Sequence, residues 1–150
     1  MTVLTRDIIV HGIRREDVLT WLSNFSVHSQ FLVAGFPACK TIDATTIELP
    51  FYGGYKDRIL TYKFDRVDSE HEGRRVEITT HGKRVEGVLH YSLRTVKPST
   101  DTMITLHMDY DSGGLLGSLL QSDIHSALSQ AFMKCLEALK AKIEKELRST

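Results

Sequence analysis

The feature that most restricts this chain is a change of hydrophobic period near residue 111. Between Thr41 and Asp111 apolar and polar residues alternate at every second position, the pattern of half-buried strands. Beyond it, Leu116, Leu119, Leu120, Ile124, Leu128, Ala131, Phe132, Cys135, Leu139, Ile143 and Leu147 recur at three and four, the pattern of one amphipathic helix. The alternating region divides into Thr41–Leu49, Lys56–Val67, Arg74–His81, Arg84–Val96 and Thr102–Asp111. The breaks fall at Tyr52-Gly53-Gly54, Ser69–Gly73, Gly82-Lys83 and Lys97–Thr100, and breaks this short join antiparallel neighbours in a meander. No proline interrupts the final segment, Gly114–Leu147, which at 1.5 Å per residue spans roughly 50 Å of helix, and Asp111 or Ser112 stands where a cap is needed.

The first forty residues add a strand over Val3–His11, rich in β-branched residues, and two short helices. Arg15-Glu16-Asp17 leads a helical run with Val18, Leu19, Trp21 and Leu22; a second run holds Phe25, Val27, Phe31 and Leu32, with the break near Asn24. Gly35-Phe36-Pro37 stops the helix before alternation resumes at Lys40. This order predicts one α+β domain over residues 1–150. A curved antiparallel sheet of about six or seven strands wraps around the long C-terminal helix, with two short helices after strand one.

Composition excludes several function classes. Nineteen Lys and Arg balance nineteen Asp and Glu at a pI near 7.1, so the chain has no electrostatic footprint for nucleic acid. The Arg74-Arg75 and Lys83-Arg84 pairs read as hairpin-end charges. Cys39 and Cys135 cannot make a disulfide framework, the first residues lack a signal-peptide core, and no apolar run approaches the roughly 20 residues of a membrane span. A cytoplasmic protein is expected.

Alternation assigns sidedness. Ile42, Ala44, Thr46, Leu60, Tyr62, Phe64, Val76, Ile78, Thr80, Val85, Gly87, Leu89, Tyr91, Leu93, Ile104, Leu106, Met108 and Tyr110 form the apolar, inner face. The opposite set is mostly charged and meets solvent. Glu48, in step with Thr46, is the one inner-face carboxylate. Each inner tyrosine reads either as a polar handle in a pocket or as a core residue with its hydroxyl on backbone or water. Gly87 marks a bulge or a close approach. Counting from Lys97–Thr100 sets His90 opposite His107 on the outer face; counting from Gly82-Lys83 sets Arg75 beside His90, with Asp109 nearby. A cation would meet Arg75 there, so the pair reads as two solvated histidines with no metal. His125, one step off the helix stripe, reads as a surface residue.

Four stretches carry a resemblance to a known family. Asp17-Val18-Leu19-Thr20-Trp21-Leu22-Ser23-Asn24 resembles the first helix of the START/polyketide cyclase-like superfamily (SRPBCC, Bet v 1-like), which shares the helix-grip fold of the birch-pollen allergens. Gly113-Gly114-Leu115-Leu116-Gly117-Ser118-Leu119-Leu120 and Leu136–Glu144 are similar to the glycine-rich approach to its last helix and to that helix's end. Phe36-Pro37-Ala38-Cys39-Lys40 resembles the turn before strand two in carbon monoxide dehydrogenase G-like members, with Ala38 in place of their glycine.

The resemblance implies a cavity between sheet and long helix that holds an apolar or amphipathic small molecule, such as a lipid, a polyketide or a quinone. On that reading the ligand-binding wall is Trp21, Phe31, Tyr62, Phe64, Leu89, Tyr91, Met108, Tyr110, Leu128 and Phe132, with Phe51-Tyr52-Gly53-Gly54-Tyr55 as lid or simple turn. Binding or transport without a cofactor comes first. A polyketide cyclase or dehydratase-type enzyme is the alternative, with Glu48, Tyr91 or Tyr110 as the catalytic candidates. A protein-interaction module of the co-chaperone kind is the third, and a free edge strand leaves room for a homodimer.

Overall fold

The computed structural model describes residues 2–68, 75–82, 85–111 and 120–148. Its elements are β1 (Thr2–Val10), α1 (Arg15–Ser23), a 3-10 turn (Phe25–Val27), α2 (His28–Leu32), β2 (Lys40–Asp43), β3 (Thr46–Gly53), β4 (Lys56–Asp68), β5 (Arg75–Gly82), β6 (Val85–Val96), β7 (Asp101–Asp111) and α3 (Gln121–Arg148). All neighbouring strands are antiparallel, in the order β1-β7-β6-β5-β4-β3-β2, so β5 has three strands on either side. The α+β class, the antiparallel pairing and the long final helix agree with the sequence pattern. The glycine-rich stretch 113–119, the break at Ser69–Gly73 and the proposed cap at Ser112 lie outside the described residues.

The core is the space between one face of the sheet and α3. Leu60, Tyr62, Leu89, Tyr91, Leu93, Ile104, Leu106, Met108 and Tyr110 reach it from the sheet, and Ile124, Leu128, Phe132, Cys135, Leu136, Leu139 and Ile143 from α3, all buried. In β7 buried and half-buried residues alternate without a break, which places the period-two reading of Thr102–Asp111 correctly. Loop Gly35 fixes how closely α2 approaches α3: a Cβ there would fall 1.9 Å from the Ala131 carbonyl oxygen and 2.7 Å from Cys135 Sγ. Gly87 plays the same part inside the sheet. Its pairing with Tyr110 is regular, and a Cβ would fall 2.1 Å from the Asp109 carbonyl oxygen, so the residue marks a close approach and not a bulge.

Four sequence expectations need correction. The run Thr41–Leu49 is two strands, because Asp43 Oδ1 accepts from the Thr45 backbone N–H at 2.9 Å and turns the chain there. Thr41 pairs with Ile47, so the odd positions and not the even ones share the inner face: Ile42 and Ala44 are exposed while Ile47 and Leu49 are buried. Phe51 to Gly53 continue β3, so the break falls at Gly54 and Tyr55 and not at Tyr52-Gly53-Gly54; at φ +63° and +64° these two residues form the simple hairpin turn. Finally, β5 pairs two residues further along than expected: Glu77 is opposite His90, and Arg75 is opposite Ser92. The His90–His107 pairing itself stands, with the rings stacked at 5.0 Å.

Candidate functional site

Most of the inner face is apolar, and its polar groups meet most closely at one place. Tyr62 on β4 and Tyr91 on β6 point their hydroxyls at each other at 2.8 Å, and His28, the first residue of α2, brings Nδ1 to 2.7 Å from Tyr62 Oη. His28 Nε2 lies 2.7 Å from the Leu22 carbonyl oxygen. All three side chains are fully buried. Burial holds His28 far below the ordinary histidine range, at about 4, against the smaller opposing pull of the Leu22 carbonyl. Burial also raises both phenols, with the neighbouring Tyr91 adding to the shift of Tyr62. The cluster is therefore neutral throughout the ordinary pH range.

Aromatic rings enclose it. Phe31 lies 5.1 Å from the His28 ring and 6.3 Å from Tyr91, and Trp21 lies 6.1 Å from Phe31. Phe25 stacks on Tyr62 at 5.9 Å, sits 5.2 Å from His28, and meets Phe64 edge-on at 5.7 Å. The other side of Phe25 faces a surface hollow of about 330 Å³, bordered by Asn24, Ser26, Ser29, Thr41, Asp43 and Ile47. The half-buried Phe25 ring thus touches both the hollow and the cluster. Its backbone is a three-residue 3-10 turn, capped by Asn24 Oδ1 accepting from the Ser26 N–H at 3.2 Å, and the facing wall is the exposed edge strand β2.

Of the residues the sequence marked as a binding wall, Phe31, Tyr62 and Tyr91 meet directly, with Trp21 and Phe64 at the ends of the same aromatic group. Leu89, Met108, Leu128 and Phe132 belong to the same core. Trp21 is tied to α3 by its indole N–H, which donates to Glu146 Oε2 at 2.6 Å. Tyr110 is apart: its hydroxyl lies 3.0 Å from His125 Nδ1, its ring stacks on that imidazole, and burial pushes its phenol up to about 12. His125 therefore faces the sheet and is not a surface residue. Ten residues of helix, about 15 Å at 1.5 Å each, separate it from Cys135 beside the first cluster. Glu48 stands between buried Ile47 and Leu49 on the strand, and Ile47 pairs with Tyr62, so Glu48 lies on the opposite face from the tyrosines.

Two inner residues escaped the sequence reading. His28 lies three residues after Phe25 and three before Phe31, and that spacing places it on the buried face of the short helices. Arg58 shares the parity of Leu60 and Tyr62; it is 4% exposed and donates from Nε to the Gly53 carbonyl at 2.7 Å, bracing the β3–β4 turn. On the outer face His107 contacts Asp109 at 3.1 Å and Thr5 at 3.3 Å, and no group of three or more potential metal ligands occurs among the described residues. No helix among them is long and apolar enough to cross a membrane.

The antiparallel sheet and its covering helix have the architecture of a polyketide cyclase-like fold. No family model and no curated protein matches the chain. Solved structures do match in fold. The Zhui aromatase/cyclase from Streptomyces sp. R1128 superposes at TM-score 0.69 with 12% identity, covering 97% of this chain and 95% of that one. KanY protein matches at 0.68 with 14% identity, over 95% and 97%, and a conserved protein from Geobacillus kaustophilus at 0.66 with 14% identity, over 96% of each. At these identities the likeness is one of fold.

Proposed function

We propose that this protein binds a small, largely apolar molecule in the space between the sheet and α3, with the ligand's polar end at the His28–Tyr62–Tyr91 cluster. The observation that carries this reading is the cluster itself. A buried histidine hydrogen-bonded to a buried tyrosine, which in turn bonds a second one, is costly in an apolar core unless every polar atom is satisfied, and here the cluster is surrounded by rings suited to a flat or cyclic ligand. A domain of this length does not need such a cluster to fold, and convergent polar groups in an apolar setting are what fixes a ligand's orientation. The ligand enters from the hollow beside Phe25, by displacement of that ring. The Zhui neighbour, an aromatase/cyclase, supports a cyclic or polyketide-like ligand class.

Native mass spectrometry beside the denatured mass tests the reading. A small-molecule adduct lost on denaturation, or uptake of added 2-naphthol, is expected, and the Tyr62→Phe, Tyr91→Phe double variant should reduce occupancy. A protein that arrives empty and takes up no naphthol refutes it.

A second reading, an enzyme of the cyclase type, is favoured by the Tyr110–His125 pair, which can hold and pass one proton at the wall of the same space. Turnover of a poly-β-ketone analogue that disappears in both Tyr110→Phe and His125→Ala would select it; unchanged turnover would remove it.

A further inference from the structure

Resting on the reading above, we infer that the ligand is a hydrogen-bond donor at its polar end, a hydroxyl-bearing ring compound, and not a carbonyl or carboxylate compound. The direction of each hydrogen bond in the cluster leads there. The Leu22 carbonyl oxygen can only accept, so His28 Nε2 carries the ring hydrogen. A neutral imidazole then has a bare lone pair at Nδ1, and Tyr62 must donate its single phenolic hydrogen to it. With that hydrogen engaged, Tyr62 Oη can meet Tyr91 Oη only as acceptor, so Tyr91 donates. Every hydrogen of the cluster is thereby used inside it, and what Tyr62 and Tyr91 have left to offer is lone pairs.

A ligand hydroxyl completes this arrangement without disturbing it. A ligand carbonyl meets lone pair with lone pair, and can be satisfied only if Tyr91 turns its hydrogen away from Tyr62. That leaves two phenolic oxygens 2.8 Å apart with no proton between them. The reverse polarity needs an imidazolium, which burial opposes. The remaining polar neighbour, the Cys135 thiol, directs its hydrogen to the Leu32 carbonyl at 3.5 Å and adds no donor.

The test uses three probes of one shape. Isothermal titration of the full chain should find 2-naphthol bound about tenfold more tightly than 2-methoxynaphthalene or 2-naphthaldehyde, the ratio that one hydrogen bond of ordinary strength supplies. Tyr62→Phe frees the Tyr91 hydrogen, so the aldehyde should gain on the naphthol and narrow that ratio at least about threefold. Equal or reversed affinities in the native protein overturn the inference while leaving the binding reading intact; failure of all three probes to bind removes both. A ligand-free measurement stands beside these. In nitrogen-15 spectra at pH 7, His28 should show the Nε2–H tautomer, and the Nδ1–H tautomer or an imidazolium would overturn the donor assignment whatever binds.

Discussion

Replacing His28 by glutamine isolates a pH dependence whose size follows from its burial. His28 is held at about 4 in the folded protein against 6.5 for a free histidine. Between those values the unfolded chain carries a proton that the folded chain refuses, so stability rises with pH across this window, is complete above it, and is lost as pH falls toward 4. At 1.36 kcal/mol per unit the whole interval is worth about 3 kcal/mol, of which about 2.5 kcal/mol has gone by pH 4.5. Glutamine keeps one donor for Leu22 and one acceptor for Tyr62 but cannot titrate. Urea unfolding of both proteins from pH 7.5 to 4.5 should therefore show the native protein losing about 2.5 kcal/mol more than His28→Gln. The low-lying carboxylates Asp43 and Asp101, held down first by the backbone N–H groups of Thr45 and Gly12, act below this window and equally in both proteins. Parallel pH profiles would refute the claim that His28 is buried and neutral, and the proton arrangement built on it.

Three further outcomes follow from packing. Gly35→Ala should destabilise by about 3 kcal/mol or prevent folding, since its Cβ meets backbone on α3; an unchanged urea midpoint would show that α2 and α3 are not so close. Cys135, whose thiol burial pushes up to about 12, should resist Ellman's reagent in the native state while half-buried Cys39 reacts, with the second thiol appearing only on unfolding. Leu106→Ala removes a fully buried side chain of β7 and should cost about 2–5 kcal/mol by denaturant titration, whereas Val88→Ala, on the exposed face, should fall within about 0.5 kcal/mol.

Local chemistry determined much of this protein from sequence alone. The alternation in Thr102–Asp111 and the three-and-four spacing after Gln121 each describe one face of one element, and such a face needs only its own neighbours to be recognised. The pairing of His90 with His107 was legible because a short loop fixes register by counting. Legibility ended where the count depended on a turn or an insertion. Asp43 turns the chain within a run that reads as one strand, and the face each residue takes there follows from the pairing of Thr41 with Ile47 and not from alternation alone, while the irregularity between Phe64 and Arg66 shifts β4 against β5.

The candidate site divides in the same way. Tyr62 and Tyr91 announced themselves by parity, and His28 carried a signal in its spacing from Phe25 and Phe31, but no pattern along the chain could join them. They come from α2, β4 and β6, brought to 2.7 and 2.8 Å by strand order and by the close seat that Gly35 allows α2 on α3. Periodicity says which side of an element is buried. Which buried groups touch, and which of them gives a proton to which, is decided only when helix and sheet close over one another, because hydrogen bonds between distant residues depend on distances no local sequence records.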